Sequence, residues 1–296
     1  MTNKKVIRLA VSIFILGVLL IPMVSQASEK LQIKIWVDKD QFFVREPIPV
    51  NYEIKNISDS TVFLSFGMIA EDFVIKDEQG QDYSTHRRGS FTGGGNSLSP
   101  GETHQTGGDI GGLYGIKSVG EYTCYIYTQP SAVLNFGWTK SNTIKFKVIE
   151  PKGDEKKALN MLLEAEKLKY SRNEQHGGRD LKKAELGFLK YQELVNNYPK
   201  SVYAPLSLSS ARGIYRYSEN LEERKKVIPI SKRLIEEYPN SIYFMSAFTS
   251  LVEAYEVLKD KNSAVNAINE LIEKHPNTKI SEEAERRLKQ IEEWKF

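Results

Sequence analysis

A single cysteine, Cys124, serves the whole chain of 296 residues. No disulfide can form within it, so any compact structure must rest on packing. Cys124 lies in a strand-like run with no histidine near it in sequence to activate it. It is expected to be a small buried hydrophobe rather than a nucleophile. Histidine is scarce too: His86, His104, His176 and His275. None stands in an HxH, HxxxH or HExxH spacing, so no metal ligand set is expected. Asp38 and Asp40 lack the further oxygen ligands that calcium needs. No Gly-x-Ser-x-Gly turn occurs. These gaps point away from catalysis, and no cofactor or metal is expected.

Net charge is also lacking. The chain has 41 basic and 38 acidic residues. Three of the basic residues, Lys4, Lys5 and Arg8, open the chain around the start of an apolar stretch over residues 9–22. Ser25-Gln26-Ala27 follows, with small residues where a signal peptidase reads. This is the anatomy of a secretory signal over 1–27, with cleavage expected between Ala27 and Ser28. The stretch is shorter than the ~20 residues a bilayer core asks of a helix. Position 28 is Ser, not Cys, so no lipoprotein anchor is expected. Without the leader the chain holds 38 residues of each sign. A formally neutral protein gives no electrostatic ground for binding nucleic acid or an anionic membrane. The expectation is an exported protein, periplasmic, envelope-associated or secreted, with no span in its mature part.

What is present falls into two halves with different periods. Over 28–150 the text alternates. "LQIKIWV" puts Leu31, Ile33, Ile35 and Val37 on one face, and "VNYEIKN" does the same with Val50, Tyr52 and Ile54. "TVFLSF", "DFVIKD", "YTCYIYT" and "NTIKFKVIE" continue the pattern. Such runs, rich in β-branched and aromatic residues and bounded by turn residues, read as strands of an antiparallel β-sandwich. Tyr122 follows a Gly-Glu pair and stands two residues before Cys124. It has the form of a tyrosine corner, whose hydroxyl ties a strand to the loop before it. Pro151 and Gly153 end this half, and Asp154 can cap the helix that follows.

From 155 to 296 the period is helical. The segments start at 155 and near 181, then cover about 201–217, 222–237, 241–258, 262–274 and 278–295. One phrase recurs: "ELVNNYPKS", "RLIEEYPNS" and "ELIEKHPNT". Aligned on Pro199, Pro239 and Pro276, they bring Leu194, Leu234 and Leu271 into register, then Tyr198, Tyr238 and His275, then Ser201, Ser241 and Thr278. Proline cannot continue the helix before it, and Ser or Thr two residues on can cap the next. Each phrase is therefore a turn between antiparallel helices, repeated at the period of a helix pair.

These residues carry a resemblance. "YPKSVYAP" at 198–205 and "YPNSIYFMSA" at 238–247 resemble tetratricopeptide repeats. The likeness is to the longer variety found in exported bacterial envelope proteins, the barrel-assembly lipoprotein and cell-division coordinator type. Gly187, Tyr191 and Leu194 fit the pattern before the first proline, as do Ala264, Ile268 and Leu271 before the third. Val227, Ser231 and Leu234 in the middle copy depart from it. The resemblance implies an all-α solenoid that binds a protein or peptide on the face lined by the first helix of each pair. Candidate contact residues are Tyr203, Arg212, Arg216, Tyr243 and Glu253. Packing between helices is the other role open to the tyrosines, and an ordinary solvated face the other role open to the charged residues. The N-terminal half is similar to exported immunoglobulin-like domains and, more loosely, to a bacterial proteinase-inhibitor type of β-domain. The alternative function is therefore an inhibitor or ligand-binding module that the helices merely dock.

Eleven of the 20 glycines lie between residues 89 and 120. A phosphate loop would need a strand before, a helix after and a Gly-Lys-Ser/Thr ending, and none is present. The segment is expected to be a loop at one end of the sandwich. His86 and His104 flank it, with Asp82, Glu102 and Asp109 close in sequence, so a hidden hydrolytic centre would have to sit there.

Overall fold

The structure is a computed structural model, and it describes residues 30–65, 73–84, 95–128, 139–169 and 180–293. The leader, with Ala27 and Ser28, lies outside the described residues, as do His86 and His176.

The first half is β-rich. Strands β1 (Leu31–Trp36), β3 (Pro49–Asn56) and β7 (Thr103–Asp109) form one sheet in the order β1-β3-β7. Both pairings are antiparallel, with Ile33 opposite Ile54 and Ile54 opposite His104. A second sheet runs β2-β10-β8-β5, from β2 (Gln41–Phe43), β10 (Ile144–Ile149), β8 (Gly120–Thr128) and β5 (Phe73–Asp77). Here β2 lies parallel to β10, and β9 (Thr139–Lys140) pairs with the end of β8. A two-stranded piece joins β4 (Val62–Ser65) to β6 (Gly95–Leu98). A short helix, α1 (Ile110–Tyr114), follows β7.

Alternation does the work expected of it. Leu31, Ile33 and Ile35 turn inward from β1, Tyr52 and Ile54 from β3, Tyr122, Cys124 and Ile126 from β8, and Phe146 and Val148 from β10. All belong to one buried cluster shared by the two larger sheets. Phe146 stacks on Tyr122 at 5.5 Å and meets Phe42 edge-on at 6.0 Å. The outer edge of β1 is covered by an amide rather than a strand. Asn142 accepts from the Ile35 N–H at 2.8 Å and donates to the Ile35 carbonyl at 2.9 Å, which blunts an edge that could pair with another chain.

The Tyr122 hydroxyl donates to the Ser118 carbonyl at 2.8 Å, the corner expected from sequence. Cys124 is fully buried, and burial pushes its thiol up to about 12. A thiol kept protonated and out of water reacts slowly. Labelling of the native protein with Ellman's reagent at pH 8 should therefore track global unfolding, with full reaction only in denaturant. Prompt labelling of the native protein would contradict this placement.

The glycine-rich segment differs from expectation. Its described part is mostly regular structure: β6, β7 and α1. The residues of β7 are exposed or half-buried along its whole length, so no apolar alternation marks it. Pairing with β3 makes it a strand.

The second half is helical: α2 (Gly153–Lys169), α3 (Leu181–Asn197), α4 (Ala204–Tyr215), α5 (Leu221–Lys225), α6 (Val227–Glu237), α7 (Phe244–Val257), α8 (Lys261–Lys274) and α9 (Lys279–Glu292). Asp154 stands inside the first turn of α2 rather than before it, and pairs with Lys157 at 2.9 Å. The repeated phrase is punctuation in three dimensions. α3, α6 and α8 stop one residue before Tyr198, Tyr238 and His275, whose N–H groups reach back to Leu194, Leu234 and Leu271 at 2.8, 3.1 and 3.1 Å. Thr278 caps α9 in a capping box with Ser281. Ser201 and Ser241 instead hold a turn, accepting from Tyr203 and Tyr243 at 3.2 and 3.1 Å. That turn delays α4 and α7 by three residues relative to the serines. The phrases also touch one another, since the Tyr238 hydroxyl donates to the Pro199 carbonyl at 2.8 Å.

All three copies bury the same positions, including the middle one that departs from the pattern: Val227, Ser231 and Leu234. Gly187 permits the close approach of α2, because a Cβ there would lie 3.1 Å from the Ala165 carbonyl oxygen. Ser231 takes the place that Tyr191 and Ile268 fill in the other copies, and its buried hydroxyl has no hydrogen-bond partner. An unsatisfied buried polar group costs about 1–3 kcal/mol. Ser231→Ala should therefore stabilise the protein by about 1 kcal/mol, read as a higher urea midpoint at unchanged slope. A lower midpoint would mean that the hydroxyl has a partner.

Candidate functional site

The five residues singled out from sequence fall into two groups. Tyr203 and Tyr243 stand at the heads of α4 and α7. Tyr203 is fully buried, and its hydroxyl donates to the Val44 carbonyl at 2.7 Å. Burial holds that hydroxyl above its ordinary value. Tyr243 is half-buried and is raised in the same way, with Asp109 adding to the effect. These rings face the β region. Tyr203 is thus an internal contact rather than a surface for a partner, because the turn after β2 has already taken its hydroxyl.

Arg212, Arg216 and Glu253 lie lower down, between α4 and α7. Arg216 and Glu253 hold each other in a forked pair, with contacts of 3.0–3.1 Å. Both remain partly exposed. Arg212 does not face solvent as expected and is only 5% exposed. Its Nη2 donates to Ser246 at 3.0 Å and Ser209 at 3.3 Å, while Nε and Nη1 have no partner. Burial, helped by Arg216, pulls its guanidinium down to about 10.

Four residues of this face escaped the sequence reading. Glu256 on α7 pairs with Arg287 on α9. Tyr217 is 76% exposed just after α4, with the Arg216 guanidinium 5.1 Å from its ring centre. Its position 18 residues after Pro199 matches that of Val257 after Pro239, and Val257 is also exposed. That shared offset was the available signal. The exposed face therefore carries paired charges, Arg216–Glu253 and Glu256–Arg287, beside two apolar side chains at equivalent repeat positions. Such a surface is suited to polypeptide recognition, since its charges are already compensated and its apolar groups are not covered.

Two hollows lie where the β and helical regions meet. One, of about 260 Å³, is lined by Phe42, Pro49, Val202, Pro205 and Ile242 among others. The other, of about 310 Å³, takes in Asp109, Lys117, Glu166, Leu206 and Ser210. Glu46, Pro47 and Tyr243 border both. Burial raises the Asp109 carboxyl, and the backbone amides of Ile48, Gly112 and Gly111 oppose that rise. Among the described residues no group of three or more His, Cys, Asp or Glu side chains could hold a metal ion. No described helix is long and apolar enough to cross a membrane. His104 lies on β7, and the ring of His275 packs edge-on against Phe244 at 5.4 Å.

Solved structures offer loose likenesses. A β-glucosidase from Listeria innocua aligns at 12% identity and a TM-score of 0.27, over 41% of this chain and 16% of that one. The CARDB domain of a Pyrococcus furiosus protein aligns at 13% and 0.23, over 40% and 87%. The ycdA protein of Bacillus subtilis aligns at 12% and 0.22, over 78% and 87%. At these TM-scores none of the likenesses bears on fold or function. No curated protein matches the chain. The family comparison is informative: residues 247–278, from α7 through α8 to the cap of α9, match the tetratricopeptide repeat.

Proposed function

We propose that this protein is an exported, non-catalytic scaffold of the cell envelope that binds a protein or peptide partner through its helices. The observation that carries the reading is the tetratricopeptide match at 247–278, together with the same turn geometry at Tyr198, Tyr238 and His275. Repeats of this kind serve interaction between proteins. In this reading the helices form a short solenoid and the β region an immunoglobulin-like sandwich beside it. The shared core of its two sheets and the Tyr122 corner support the latter. The partner lies along Arg216, Tyr217, Glu253 and Val257. Export rests on the leader, and a reporter enzyme active only outside the cytoplasm, fused after residue 27, tests it.

Peptide display against the chain from residue 28 to 296 tests the scaffold reading. A selected peptide should bind by calorimetry, and Arg216→Ala with Glu253→Ala should weaken it about tenfold, a loss of ~1.4 kcal/mol, at unchanged thermal stability. Enrichment of no peptide would overturn the reading.

A further inference from the structure

One guanidinium on the exposed face is left over. Arg216 holds both oxygens of Glu253, and Arg287 of α9 holds Glu256. Those are the two carboxylates of α7, and α4 carries none. Arg212 of α4 therefore forms no ion pair with a described residue. It is 95% out of water, yet its Nε and Nη1 find no acceptor. An unpaired buried cation is costly. Burial and the nearby Arg216 both disfavour its charge, and Glu253, already taken by Arg216, offsets them only in part.

The charge still reaches the surface. The Nη2 group donates to the hydroxyls of Ser246 and Ser209, and both serines are only half-buried. Ser246 passes its own proton to the Tyr243 carbonyl at 2.9 Å. The Ser209 hydroxyl donates to no described residue. It is a free O–H donor backed by a cation, an arrangement matched to an anionic acceptor.

We propose that the peptide segment bound by this face brings an Asp or Glu side chain, whose carboxylate seats against Ser209 and Ser246 and neutralises Arg212. This rests on the scaffold reading and gives its partner a chemistry. The carboxylate accepts from the Ser209 hydroxyl, and the guanidinium behind it supplies the opposite charge. Arg216 stays with Glu253. The acid is chosen over its amide because only the acid cancels the buried charge, and a basic side chain is refused because it would face a like charge. Tyr217 and Val257 offer apolar contact on the same face, so the matching segment sets its acid among apolar residues.

The probes are peptides selected by display from a random library on the chain from 28 to 296, with a parallel selection on Arg212→Met. Met is apolar and of similar length, so this variant should melt no lower than the unmodified chain. An acidic residue should recur at one position among binders of the unmodified chain and not among binders of the variant. One such peptide is then made in two forms, with its acid and with the corresponding amide. By calorimetry the amide form should bind the unmodified chain about tenfold more weakly, and Arg212→Met should bind the two forms within about twofold of each other. Ser209→Ala, a change at a half-buried position, serves where Arg212→Met does not fold, and should shrink the difference between the forms by a few fold. Binders with no recurring acid, or a preference for the acid that survives both substitutions, would overturn this inference and leave the scaffold reading standing. If no peptide is enriched on the unmodified chain, both fall.

Discussion

Tyr191→Ala is expected to destabilise the protein by about 3–5 kcal/mol, the range for truncating a large buried aromatic side chain. The ring lies on α3, eight residues before Pro199, and has no exposure. It belongs to the core that also holds Leu162, Leu194, Tyr203 and Leu208. Removing it leaves a cavity among side chains fixed by three helices, which cannot all collapse inward at once. Urea unfolding followed by far-UV circular dichroism measures the loss. A cost below about 1 kcal/mol would mean that the site is not packed as described. The neighbouring copies give the internal control. Ser231 fills the equivalent place with a small side chain and Ile268 with an aliphatic one, so the same position should respond very differently in the three copies.

The second large effect is expected at Phe146→Ala, again about 3–5 kcal/mol. Phe146 is the centre of an aromatic layer between Tyr122 and Phe42, and the face-to-face and edge-on contacts add to its burial. The near-UV circular dichroism of the tyrosines should weaken as the layer loosens. Coupling to the helical region should follow, for a geometric reason. Successive side chains of a strand point to opposite faces. Phe42 therefore enters the β core while Phe43, next to it on β2, packs against the helices. Loss of the Phe42 contact loosens the strand that carries Phe43. A cost below about 1 kcal/mol would mean that the aromatic layer is not packed as described.

Much of the fold was legible from local chemistry. Apolar alternation marked β1, β3, β8 and β10, because each buries one face. The three prolines marked the ends of α3, α6 and α8, because a residue without an N–H cannot extend a helix. Tyr122 and Cys124 were placed correctly, since a corner and a small buried thiol depend on the residues beside them.

Other features had no local signature. β7 is polar or glycine at every position, so nothing in its period told it from a loop. It became a strand because β3 offered it a ladder of hydrogen bonds. Arg212 reads as a surface residue of an amphipathic helix, yet the packing of α7 against α4 closed over it. Tyr203 reads as a groove residue, yet its hydroxyl is used by Val44, 159 residues away. The sequence by itself determined where the helices before the three prolines end and which faces of the alternating strands are apolar, because those follow from neighbours within a few residues. The tertiary structure alone decided what each face meets. A side chain's partner across the fold depends on the sum of all packing, and no stretch of chain contains that sum.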